Sequence, residues 1–140
     1  MVNTGNNFLL VPLKERAILG QLRPDLARIE RISEALDLIG FYPFSTQTFV
    51  AGRLATARMF GPWYGIREEA ATGMAAGPLA CYLYDYMGVK GPRMVIEQGF
   101  LMQPASPSEI IVDLDLRDNR IAGLMAGGRA KVSREMEIEI

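Results

Sequence analysis

Glu68 and Glu69 stand side by side just ahead of Thr72-Gly73-Met74, and a long apolar stretch follows. Carboxylates move protons, and a Thr-Gly step before an apolar run is a helix start. The first turn of a helix leaves backbone N–H groups unpaired and carries the positive end of the dipole, so it attracts carboxylates and phosphates. Thr72 is suited to cap such a turn, and Gly73, Ala75, Ala76 and Gly77 let a ligand approach the backbone closely. The same pattern fits a plain core helix whose small residues serve packing. In that reading Glu69 only complements the helix dipole.

The helix that would position these groups covers residues 75–87, where Asp85 is the one charged residue. A helix apolar nearly all round is buried, and one this short cannot cross a bilayer, which takes roughly 20 residues. Cys81, eight residues in from Gly73, lies about two turns below the mouth and is expected to be a buried, inert thiol. Trp63 and Tyr64 either wall a cleft or pack ordinarily. Arg67 either steers an acidic substrate or is simply solvated.

The flanking chain alternates short strands with helices. Residues 8–13 (FLLVPL) read as a buried strand and 14–20 as a short helix. Leu22, Leu26, Ile29, Ile32 and Leu36 give 23–37 an amphipathic helix, with Pro24 suited to its first turn. Strands are expected over 38–44 and 53–60, with a polar link between them. After the central helix come strands at 93–98, 108–117 and 120–125. Asp118-Asn119 makes a hairpin turn, and a last alternating run covers 129–140. About seven strands around one apolar helix imply an α+β domain spanning 1–140, with a mostly antiparallel, strongly curved sheet.

Composition narrows the function classes. A net charge of −1 gives no electrostatic case for nucleic acid or an anionic membrane. The single cysteine excludes an internal disulfide. With an N-terminus that does not read as a signal peptide, it points to the cytoplasm. Histidine is absent, which removes His-based triads and His metal sites from this chain.

Residues 57–83, ARMFGPWYGIREEAATGMAAGPLACYL, resemble the C-terminal-half signature of the PhzF-type phenazine-biosynthesis isomerase family, R-x-F-x-P-x-x-G-I-x-E-D-P-A-T-G-S-A-x-G. NTGNNFLLVPL at 3–13, VIEQG at 95–99 and GGRAKV at 127–132 are similar to further strands of that half. The resemblance implies a diaminopimelate-epimerase-like fold, in which each half is a curved sheet (a half-barrel) wrapped round a central helix. The active site would lie between the halves, facing both helix N-termini. It also implies that a first half, absent from this chain, supplies the principal catalytic glutamate and a Gly-His pair. Glu69 stands at the signature's Asp, Ala70 at its Pro and Met74 at its Ser, while Glu68, Ala71, Thr72, Gly73 and Ala75 match.

The expectation is a PhzF-like isomerase or epimerase half that performs cofactor-independent proton transfer on a small carboxylate-bearing metabolite. Glu69 would handle the proton, and the Thr72, Gly73 and Met74 amides would hold the carboxylate. The cleft would be completed by a homodimer or by a separate chain resembling the missing half. The alternative is a catalytically inactive binding or structural homodimer with the same fold, or the chain is an isolated domain.

Overall fold

The computed structural model describes residues 5–132 and 135–137. Its elements are β1 (Phe8–Pro12), α1 (Arg16–Gln21), α2 (Leu26–Leu36), β2 (Gly40–Ser45), β3 (Ala55–Ala57), β4 (Met59–Gly61), a 3-10 turn (Pro62–Tyr64), β5 (Ile66–Glu69), α3 (Gly73–Tyr86), β6 (Arg93–Gln98), β7 (Ser108–Arg117) and β8 (Arg120–Gly127). The strands form one open sheet in the order β5-β4-β2-β3-β6-β7-β8, and β1 lies on the free side of β2. Only β1–β2 and β3–β6 are parallel, so the fold is mixed α+β with a mostly antiparallel sheet.

The core gathers where α3 meets β7 and β8. Ala75, Ala76, Leu79, Ala80 and Leu83 are fully buried there with Tyr42, Ile96 and Val112. Small residues along one side let the helix close onto the sheet. A methyl on Gly73 would sit 3.7 Å from the Ala126 Cβ, an ordinary contact. Pro78 lies inside α3 and removes the bond its N–H would have given to the Met74 carbonyl. Cys81 is buried, and burial together with the nearby Asp85 charge pushes its thiol pKa up. Among the described residues no helix is long and apolar enough to cross a membrane.

Several boundaries differ from the sequence pattern for local reasons. The second helix starts at Leu26, not in the turn containing Pro24, because Asp25 caps it by accepting the Arg28 N–H at 3.0 Å. It ends where Asp37 turns left-handed, with φ of 51°. The single strand expected over 53–60 divides into β3 and β4 at Arg58. The break faces Pro43, which lacks an N–H for the ladder; its carbonyl takes the Arg58 N–H at 3.0 Å. β5 was not anticipated, and it brings the described strands to eight. The hairpin turn is where expected, with Asp118 and Asn119 at positive φ (49° and 59°), the backbone that two-residue hairpin loops favour. No strand forms over 129–132 or 135–137; the rest of that predicted run lies outside the described residues.

The Arg58 side chain, at this break, is buried. Its Nε and Nη2 donate to Glu68 Oε1 and Oε2 at 2.7 and 2.8 Å, and its Nη1 donates to the Leu19 and Leu22 carbonyls at 3.2 and 3.3 Å. Only 8% of the residue is exposed. One side chain thus ties β5 to the end of α1. Breaking a buried pair by removing one partner strands the other charge, at a cost of about 3–5 kcal/mol. Arg58→Met should lower the unfolding free energy by about that much in urea titration; a loss below about 1 kcal/mol, the worth of an exposed ion pair, would contradict this reading.

Candidate functional site

Thr72 occupies the N-cap position of α3, but its side chain caps nothing. Its hydroxyl instead donates to Glu69 Oε2 at 2.5 Å. Behind it stands Gln98, fully buried at the end of β6. The Gln98 Nε2 donates to the Glu69 carbonyl at 2.6 Å and to Thr72 Oγ1 at 3.0 Å. Its Oε1 accepts from the Thr72 N–H at 3.2 Å and from the Tyr42 hydroxyl at 2.8 Å. Every polar atom of this amide has a partner, so the Glu69–Thr72 corner is held from below. Tyr42 is also fully buried, and desolvation, with the Glu69 charge second, raises its phenol pKa far above the ordinary 10.0.

The Thr72 N–H is therefore spent on Gln98. Among the described residues none accepts from the N–H of Gly73 or Met74, so these are the free donors of the first turn. Gly73, but not Met74, lines a cavity of about 440 Å³ together with Ala71, Ser108, Glu109, Gly128 and Arg129. Arg129 has no ion-pair partner among the described residues, whereas Glu109 is tied to Arg53 at 3.2 Å. A free cation and the free Gly73 amide at one opening can hold an anion. Glu69 does not line this cavity; it lies across Thr72 from it. Met74 is half exposed, with its sulfur against the Asn6 side-chain amide.

On the other face of β6, Glu97 is fully buried and accepts from the Phe49 and Val50 N–H groups and from Arg53 Nη1. It pins the link at 46–52, and Phe49 stacks on Phe100 with centroids 5.0 Å apart. Next to this pair Gly99 takes φ of 80°, and a methyl there would run into the Ser106 carbonyl oxygen. Sequence reasoning overlooked the roles of Gln98 and Arg129. The available signal for Gln98 was a polar residue closing an apolar strand just before a glycine.

The description "Phenazine biosynthesis-like protein" belongs to the family model that matches residues 1–135. The chain belongs to this family. It is 33% identical over 137 residues to an uncharacterized isomerase of Deinococcus radiodurans, a match covering 95% of this chain and 43% of that protein. It is 31% identical over 133 residues to a trans-2,3-dihydro-3-hydroxyanthranilate isomerase of Pseudomonas aeruginosa, covering 94% and 44%. A PhzF-family phenazine biosynthesis protein from Bacillus anthracis shares the fold, with a TM-score of 0.67 and 20% identity over 88% of this chain and 42% of that one. The chain therefore spans less than half the length of these PhzF-family relatives.

The Tyr42–Gln98–Thr72 network predicts two outcomes. Gln98→Leu keeps the size but orphans the Tyr42 hydroxyl and the Thr72 N–H, and at about 1–3 kcal/mol for each stranded group thermal unfolding should show a loss of several kcal/mol. The raised Tyr42 pKa has a definite sign. The unfolded chain releases the phenol proton near 10.0 while the folded chain keeps it, so stability present below pH 10 falls as pH rises above it. Urea midpoints from pH 9 to 11 should fall less steeply for Tyr42→Phe than for the native chain; equal slopes would contradict this.

Proposed function

We propose that this chain supplies one side of a PhzF-like isomerase site, in which a proton moves within a small carboxylate-bearing metabolite without a metal or organic cofactor. The carrying observation is the α3 mouth itself. Gly73 presents a free N–H at the cavity that Arg129 lines, the free Met74 N–H follows on the same turn, and the Thr72 hydroxyl holds the Glu69 carboxylate at the corner before α3. In this reading the amides and Arg129 bind the substrate carboxylate, Glu69 gives or takes the proton, and Thr72 positions Glu69. Glutamate extends one methylene further than the family's aspartate, a difference of about 1 Å, enough to matter for proton transfer.

The principal acid/base group would come from a surface resembling the family's other half, and the sheet would curve with α3 into one half-barrel of a two-half molecule. A second reading, a binding homodimer without turnover, is favoured by Met74, which leaves no hydroxyl where the family signature has serine.

The test is to combine the chain with a first-half PhzF polypeptide and assay isomerisation, beginning with the substrate that names the Pseudomonas relatives. General acid–base groups contribute about 10²–10⁴-fold, so Glu69→Gln should cut the rate at least a hundredfold by that measure while assembly persists. Unchanged turnover in Glu69→Gln would remove Glu69 from the chemistry. An assembled complex that binds carboxylates but never turns over would favour the second reading.

A further inference from the structure

Across β5 from the α3 mouth lies a separate cleft of about 580 Å³, between the α1–α2 connection and β4–β5. Glu68 faces this side and Glu69 the other, as successive strand residues do. Its charge is one-sided. Glu68 is neutralised by Arg58, whereas Arg23 and Arg67 both line the cleft and are exposed. Arg67 has no hydrogen-bond or ion-pair partner among the described residues. Arg23 reaches only the Gln21 and Leu22 carbonyls, at 3.4 and 3.3 Å. Asp25, the nearest acid in sequence to Arg23, is engaged in capping α2 and does not line the cleft.

A second pocket of about 160 Å³ adjoins the first and shares Leu22, Arg23, Pro24 and Phe60 with it. Its remaining lining is wholly apolar: Val11, Ile29, Phe41 and Pro43. An enclosed apolar cavity on the order of 150 Å³ holds a benzene ring, and this pocket, open on one side, is of that size. Arg23 borders both spaces, so a ring seated in the pocket would have its substituent beside Arg23, at the cleft that Arg67 also lines. Guanidinium forks match carboxylates in geometry as well as charge.

We propose that this double cleft is a binding site for a small aryl or cyclic carboxylate, with the ring in the apolar pocket and the carboxylate on Arg23 and Arg67. The site is distinct from the α3 mouth and does not rest on the isomerase reading. The ring supplies desolvation and the arginines supply orientation, so neither part alone should bind well.

The experiment is an amide-resolved NMR titration of the full chain with sodium benzoate, with acetate and benzyl alcohol as the two half-ligands. Saturable shifts are expected at Leu22, Arg23, Leu26 and Arg67. Each half-ligand should bind at least about tenfold more weakly, and Arg67→Gln and Arg23→Gln should each weaken benzoate about tenfold, the worth of one charge-assisted contact. Both arginines are exposed, so the variants should keep the native spectrum elsewhere. Three results would each overturn the proposal: no saturable shift at millimolar benzoate, acetate binding as tightly as benzoate, or shifts confined to Gly73 and Met74 and indifferent to Arg67→Gln.

Discussion

The side-chain amide of Gln98 is the fixed point on which the α3 mouth depends. It is wholly removed from water and makes four hydrogen bonds, to the Tyr42 hydroxyl, the Thr72 N–H and hydroxyl, and the Glu69 carbonyl. Buried polar groups are costly unless satisfied, and a fully satisfied network rigidifies its surroundings. Here it joins three elements, β2, β6 and the β5–α3 corner. By using the Thr72 N–H it leaves the next two amides as the first ones open to a ligand. By occupying the Thr72 hydroxyl as acceptor, it directs that group's proton to Glu69.

Arg58 plays the matching role on the far face of β5. Arg58 sits at the ladder break opposite Pro43, between β3 and β4, and its guanidinium links Glu68 to the end of α1. The paired carboxylates that stood out in the sequence therefore have separate tasks. Glu68 is a structural counter-ion, and Glu69 is held by the Thr72 hydroxyl at the corner before α3. Glu97 and Gln98 repeat the arrangement on β6: one pins the 46–52 link and the other the mouth.

Much of this was legible in the sequence. Clear period-two alternation placed β7 at its observed bounds, a short run closed by Gly99 placed β6, and the near-absence of charge marked α3 as buried. The signature around Glu69 and Thr72 led to the family, which the match over residues 1–135 shows. What escaped was tertiary in origin. Nothing local to Arg58 announces a ladder break, because the cause is Pro43, fifteen residues away. Thr72 has the residue type of a cap and sits at the cap position, yet its hydroxyl is diverted by partners on other strands. Arg129 joins the mouth only because β8 returns alongside α3.

Native-state amide hydrogen exchange at the start of α3 tests the central claim most directly. The account predicts strong protection of the Thr72 N–H, which is buried and bonded to Gln98, with fast exchange at Gly73 and Met74 immediately after it. Protection of all three, or exchange at Thr72 as fast as at its neighbours, would contradict the account.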